Sequence, residues 1–150
     1  MTAVIEDALT RHLDRLCEIE TECFRAEAFT REQILQLLKE YNCVNLVARV
    51  GGIIAGFVIG MMYVDRKALY AHILTIDVSP AYRRRGIGQM LLQEMERIFK
   101  EKGVKASHLE VREDNVAAIN LYRKLGYEKI GELRNYYGNA NGIYFKKVLA

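Results

Sequence analysis

Three arginines, two glycines one residue apart and the start of an apolar helical pattern fall together in YRRRGIGQML, Tyr82 to Leu91. A helix N-terminus presents N–H groups without intrahelical partners at the positive end of the helix dipole, and glycine lets a phosphate come close to that backbone. Arg83, Arg84 and Arg85 add side-chain charge, so the segment suits a pyrophosphate. Two other phosphate loops do not fit it. A Walker A loop needs Lys and Ser/Thr after its last glycine, whereas Gln89 and Met90 follow Gly88. A dinucleotide fingerprint would need glycine at Leu91; Glu110 stands where a ribose-binding acid could sit, but the hairpin-rich remainder argues against a doubly wound sheet.

Other ionisable side chains lie further along. In SHLEVR, period-two alternation puts His108, Glu110 and Arg112 opposite Leu109 and Val111. Tyr122 falls in a helical stripe with Ala118, Leu121 and Leu125. His72, by alternation, shares a face with Leu74 and Ile76, which favours a structural histidine over a proton relay.

The elements that must hold these groups are legible from period and punctuation. Ala3 to Ala8 reads as a strand, and Thr10 as the cap of a helix with Leu13, Leu16, Cys17 and Glu20 in register, ending near Cys23. Thr30 and Gln33 form a capping box opening a second helix, with Ile34, Leu35, Leu38 and Tyr41 expected on its buried side. Val44 to Val50 and Ile53 to Val64 read as a hairpin turning at Gly51-Gly52 in a conformation that needs positive φ. Leu69 to Val78 is a strand, and the stripe Ile87, Leu91, Met95, Ile98 is a helix stopped by Gly103. Ser107 to Arg112 is a strand and Val116 to Leu125 a helix closed by Gly126. Strands Tyr127 to Leu133 and Gly142 to Leu149 flank the loop NYYGNAN. The order βααβββαβαββ predicts an α/β fold with a mixed central sheet and helices on both faces, Leu69 to Arg112 forming one right-handed parallel βαβ unit. No linker or repeat interrupts residues 1–150, so a single domain is expected.

Composition narrows the partners. A net charge of +3 from 22 basic and 19 acidic residues is too mild for nucleic acid or a membrane surface. Cys17, Cys23 and Cys43 fit neither a disulfide framework nor a zinc site. With no signal-peptide pattern and no apolar run of about 20 residues, a cytoplasmic protein is expected, as a monomer or weak dimer.

Arg83-x-x-Gly86-x-Gly88 resembles the pyrophosphate loop of the GNAT superfamily of acetyl-CoA-dependent acyltransferases. HILTIDVSP, LEVREDNVAAINLYRKLGYE and NYYGNANG are similar to stretches of the RimI-type and archaeal N-terminal acetyltransferases, so the resemblance covers most of residues 69–145. It implies a GNAT-type sheet, acetyl-CoA as cosubstrate and no metal. Residue by residue, it implies that Ile76, Asp77 and Val78 line the pantetheine arm, with the N–H near Val78 polarising the thioester carbonyl. Arg83, Arg84, Arg85, Gly86, Ile87, Gly88 and Gln89 would wrap the pyrophosphate, and Asn115 would reach the sulfur end of the cofactor. Glu110 would be the base, acting through water, and Tyr122 would stabilise the leaving thiolate, since full proton donation from a phenol near pKa 10 to a thiolate near 8.5 is uphill by about 2 kcal/mol. Glu27 and Phe29, with Tyr136 and Tyr137, would flank the groove that admits the acceptor. The family's usual Pro-Trp-Ser after the first helix is replaced by Ala28-Phe29-Thr30.

The implied acceptor is the α-amino group of a protein or peptide, ribosomal proteins included. An α-ammonium near pKa 7.7 to 8.0 is easier to deprotonate than lysine at about 10.4. The alternatives are acetylation of a small amine, such as a polyamine or an antibiotic, and a non-catalytic module that binds CoA or nucleic acid.

Overall fold

The computed structural model describes residues 2–150. Strand β1 (Val4–Asp7) is followed by helices α1 (Leu13–Phe24) and α2 (Arg31–Lys39), then by strands β2 (Cys43–Val50), β3 (Ile53–Asp65) and β4 (Ala68–Val78). Helix α3 (Ile87–Glu101), strand β5 (Ala106–Arg112), helix α4 (Val116–Lys124) and strands β6 (Glu128–Leu133) and β7 (Gly142–Val148) complete the chain. The expected element order is therefore the observed one. A single seven-stranded sheet runs β1-β2-β3-β4-β5-β7-β6, antiparallel throughout except where β4 meets β5.

Helix ends follow the local chemistry with one exception. The Thr30 hydroxyl accepts the Gln33 N–H and the Gln33 side chain accepts the Thr30 N–H, as a capping box requires. Thr10 caps nothing; it opens a short 3-10 turn, and the His12 imidazole Nδ1 accepts the Leu9 N–H at 2.9 Å instead. Tyr41 lies beyond the end of α2 and is 96% exposed, so the buried side of α2 rests on Ile34 with Leu35 and Leu38 half-buried. Between β2 and β3 only Gly51 takes positive φ.

Two apolar clusters cover the two faces of the sheet. Leu13, Leu16 and Ile19 of α1 and Ile34 of α2 pack on Val47, Phe57 and Ile59. Leu91, Leu92, Met95 and Phe99 of α3, with Ile119 and Tyr122 of α4, pack on Val58, Ala71, Ile73 and Leu109. Each fully buried side chain of this size contributes about 1.5 to 3 kcal/mol.

One irregularity in β4 positions the site. Ile59 pairs with Thr75 but Gly60 pairs with Ile73, which leaves Leu74 as the extra residue of a β-bulge. Alternation slips by one there. Leu74 packs with the α1–α2 cluster, whereas Ile73, Ile76 and Val78 pack with the α3–α4 cluster. Ile76 therefore does not share a face with His72 and Leu74, contrary to simple alternation, and Thr75 and Asp77 turn toward α1. Among the described residues no helix is long and apolar enough to cross a membrane, and Cys17, Cys23 and Cys43 are half-buried free thiols.

Candidate active site

Strands β4 and β5 pair only at Ala71–Ser107 and His72–His108, although β4 runs on to Val78 and β5 to Arg112. Past that point the sheet is split. The Ser79 N–H bonds to Ala55 O at 2.8 Å, which makes Val78, opposite Gly56, a position whose own N–H and C=O face away from β3. The backbone of Ile76 and the N–H of Val78 thus look into the split, whereas Asp77, opposite Phe57, turns its N–H and C=O to β3 and its side chain to α1, so, contrary to expectation, it does not line the split.

On the α1–α2 face of the split, β5 presents Glu110. Its Oε1 lies 2.7 Å from His72 Nε2 and its Oε2 lies 3.8 Å from His108 Nδ1. His108 Nε2 is 2.7 Å from the Tyr63 hydroxyl, and the His72 and His108 rings stack at 4.4 Å. Burial pushes the Glu110 carboxyl up, but the two imidazoles outweigh it and hold the group down at about 2. Glu110 is therefore a carboxylate, an acceptor only, so His72 Nε2 carries the hydrogen between them and the unprotonated nitrogen of the neutral ring is Nδ1. His72, placed by alternation among structural histidines, is in hydrogen-bond contact with Glu110, a contact that alternation along one strand does not reveal. The pairing of His72 with His108 across two distant strands is what exposes it. His72, His108 and Glu110 each bring a metal-ligand atom within 4.8 Å of the others. His72 and Glu110 are joined directly and the two imidazole rings stack, so the set forms a hydrogen-bonded, stacked cluster.

The flanking loops meet around Arg112. Its guanidinium donates to Glu27 Oε1 at 2.5 Å, to Asn139 Oδ1 at 3.0 Å and to both Asp114 oxygens, and it lies over the Tyr137 ring. Glu27 is thus neutralised rather than free. Tyr136, 53% exposed, stands edge-on to Tyr137 at 4.9 Å, and Phe29 packs at the edge of the α1–α2 cluster. Burial, with the negative charge of Glu110 next, raises the Tyr136 hydroxyl, so both loop tyrosines remain neutral phenols.

The other face holds the remaining groups. Tyr122 is buried in the α3–α4 cluster, 6.0 Å from the Tyr127 ring and 6.2 Å from Phe145. Burial, and then the charge of Asp77, pushes its phenol well above the usual range, leaving it a neutral hydrogen-bond donor. Asn115 caps α4, its Oδ1 accepting the Ala118 N–H at 3.2 Å, which leaves its amide nitrogen to donate to another partner. At the start of α3, Gly86 takes φ 77°, with open space where a Cβ would stand, and the first helical bond runs from Met90 N–H to Gly86 O. The N–H groups of Ile87, Gly88 and Gln89 are left without intrahelical partners. A Cβ on Gly88 would meet Leu121 Cδ2 at 3.3 Å and Val78 Cγ2 at 3.7 Å, so glycine there lets α3, α4 and β4 converge.

The three arginines differ. Arg83 turns back, its Nε on Val78 O at 3.2 Å and its Nη2 on Cys23 Sγ at 3.5 Å. Arg85 lies over the Tyr82 ring. Arg84, exposed and with φ 64°, has no side-chain partner among the described residues.

The site thus has two sides: a helix start with free N–H groups on one face of the split and a carboxylate–imidazole pair on the other. The sequence profile described as the acetyltransferase (GNAT) family matches residues 13–127. An N-alpha-acetyltransferase of Sulfurisphaera tokodaii is 37% identical over 116 residues, covering 71% of this chain and 70% of its own. N-alpha-acetyltransferase RimI of Mycobacterium tuberculosis is 38% identical over 138 residues, covering 87% and 82%. Among solved structures, the ribosomal-protein-S18-alanine N-acetyltransferase from Escherichia coli superposes with a TM-score of 0.88 at 27% identity, covering 99% of this chain and 94% of that one. The chain belongs to the GNAT family of acetyltransferases.

Proposed function

We propose that the chain transfers the acetyl group of acetyl-CoA to the N-terminal α-amino group of proteins or peptides. The observation that carries this is the two-sided split: Glu110 and His72 on the face bounded by Glu27, Phe29, Tyr136 and Tyr137, and Tyr122 with the Gly86 loop on the other. The names of its relatives, N-alpha-acetyltransferases and an enzyme of ribosomal protein S18, support the same acceptor class. Acetyl-CoA fits the residues present, because the open space over Gly86 and the free N–H groups of Ile87 to Gln89 suit a pyrophosphate, with Arg84 the arginine free to reach it. The cosubstrate supplies an activated thioester and departs as a thiolate.

Deprotonating an α-ammonium near 8 with a carboxylate near 2 is uphill by about six units. Glu110 therefore works with His72 rather than alone: the carboxylate attracts the incoming ammonium and fixes the imidazole, and His72 Nδ1, directly or through one water, takes the proton. The Val78 N–H, facing into the split, is placed to stabilise negative charge on the acyl oxygen. Tyr122 donates a hydrogen bond to the leaving sulfur. Because Arg112 already satisfies Glu27, Glu110 alone of these two carboxylates is left to attract a cation, which suits a single ammonium better than a polyamine.

The test is acetyl transfer to peptides beginning Ser, Ala, Met-Leu and Met-Glu, against spermidine and a peptide whose only free amine is a lysine side chain. Transfer to the α-amine peptides is expected, at kcat/KM at least about tenfold above the other two. Faster turnover of spermidine would replace the peptide reading with the small-amine one.

A further inference from the structure

Three side chains on the α1-facing side of the β4 bulge form a chain that the transfer chemistry does not use. Thr75 Oγ1 lies 2.6 Å from Asp77 Oδ1 and 2.9 Å from Glu20 Oε1, while Glu20 Oε2 accepts the Phe29 N–H at 3.0 Å. Glu20 and Asp77 are each only 1% exposed, and Asp77 Oδ2 has no partner. A hydroxyl has one proton to give. It cannot donate to two carboxylates at once, so one of the two short contacts must be made by a proton on a carboxyl group. As a carboxylate Glu20 has a donor for each oxygen, Thr75 and the Phe29 N–H, whereas Asp77 Oδ2 has none, so the negative charge is better held on Glu20 and the proton falls to Asp77. The direction of bonding is then Asp77 to Thr75, Thr75 to Glu20, and Phe29 N–H to Glu20.

We propose that Asp77, Thr75 and Glu20 are positioning residues that set the acceptor pocket, one proton held on Asp77 fixing the α1–α2 loop through the Phe29 amide. This rests on the reading that this loop, carrying Glu27 and Phe29, bounds the pocket for the amine. The relay reaches from the strand that would hold the acyl donor to the loop that would hold the acceptor. It is absent from simple alternation because the bulge at Leu74 is what turns Thr75 and Asp77 toward α1.

The proton gives the loop a dependence on pH. Burial, then the charge of Glu20, pushes the Asp77 carboxyl far above the usual range. The groups facing it are Glu20 and the Cys23 thiol from α1, Thr75 from β4 itself, the Arg83 guanidinium from the segment after β4 and the Tyr122 phenol from α4. Loss of the proton at high pH leaves two buried anions on one hydroxyl, and the Glu20 end of the chain, with Phe29, is released.

Two readouts test this together: hydrogen exchange at the Phe29 amide, and KM for peptide and for acetyl-CoA, each from about pH 6 to about pH 10. In the wild-type protein, Phe29 protection falls and peptide KM rises toward high pH, while KM for acetyl-CoA stays level. Asp77→Asn, whose amide donates to Thr75 and cannot ionise, abolishes the alkaline change in both readouts. Thr75→Val loses Phe29 protection and raises peptide KM about tenfold at every pH, the scale of one lost oriented contact, and Thr75→Ser restores both. Unchanged KM for acetyl-CoA and a single cooperative thermal transition, lower in Thr75→Val by the cost of the lost buried hydroxyl, mark the variants as folded. Wild-type Phe29 protection in Thr75→Val, or an alkaline change that persists in Asp77→Asn, overturns the relay. If no peptide is acetylated but the Phe29 pattern holds, the acceptor reading falls and the relay stands; normal peptide kinetics without the Phe29 pattern sink the relay alone.

Discussion

At the scale of single residues, the chemistry divides between two groups that a sequence reading would rank differently. Glu110 sits in a strand where a surface glutamate would be unremarkable, yet His72 and His108 hold it ionised down to about 2. Its folded value lies below the ordinary one near 4.5, so the carboxylate stabilises the fold above that ordinary value, and the contribution is lost as pH falls toward 2. Across the working range it does not titrate. His72→Gln is expected to lower kcat by about a hundredfold, as loss of a general base does. Glu110→Gln is expected to lower kcat as well, because the imidazole loses the acceptor that fixes its tautomer and orientation. A kcat unchanged in His72→Gln would return the base to Glu110 or to water. Tyr122→Phe should lower kcat with little change in KM for peptide, as a contact made only to the departing sulfur requires.

At the scale of elements, the end of β5, the α1–α2 loop and the β6–β7 loop are held as one wall by Arg112. The guanidinium has partners on all three and a ring beneath it, and solvent reaches it and screens its ion pairs. Its effect belongs to binding. Arg112→Met, which keeps the length and loses the charge, should raise KM for peptide by roughly three- to tenfold while leaving KM for acetyl-CoA and the unfolding midpoint almost unchanged. Equal loss for both substrates would mean that Arg112 supports the split itself. Elements of this kind were largely legible in the chain, because their ends are written locally: the Thr30–Gln33 box, Gly103 and Gly126 with positive φ, and the Gly86 start of α3. The bulge at Leu74 was not, since one extra residue among β-branched neighbours leaves no mark of its own. The His72–Glu110 pair was hidden for a related reason: parallel register between β4 and β5 is fixed by packing across a whole helix, not by any residue near either strand. Thr10 is not a cap because the first turn begins at Thr10 itself, with Leu9 at the capping position and its N–H taken by the His12 imidazole.

At the scale of the whole molecule, the split leaves the sheet bridged only weakly between its two halves. β1 to β4 form one antiparallel set and β5, β7 and β6 another, and the parallel ladder at Ala71 and His72 is their only strand pairing. α3 and α4 add side-chain packing over the join, with Gly88 allowing Leu121 and Val78 to close on it. A molecule lying in the split would supply to β4 the backbone bonds that β5 does not, and would draw on Gly86 and the N-terminus of α3 at the same time. Binding of acetyl-CoA should therefore stabilise the whole fold. At about a hundred times its Kd the gain is about 2.7 kcal/mol, which for a chain of this size is a rise in Tm of roughly 5 to 10 °C. The three arginines should not share in it equally. Arg84→Ala is expected to shrink the shift most at a fixed concentration, because that side chain alone is uncommitted; Arg85→Ala, taken from the Tyr82 ring, should shrink it less. Arg83→Ala should lower Tm without ligand as well, since it strips a donor from Val78 O. Differential scanning fluorimetry of the four proteins with and without acetyl-CoA reads all of this, and an unshifted wild-type midpoint would remove the cosubstrate from the split.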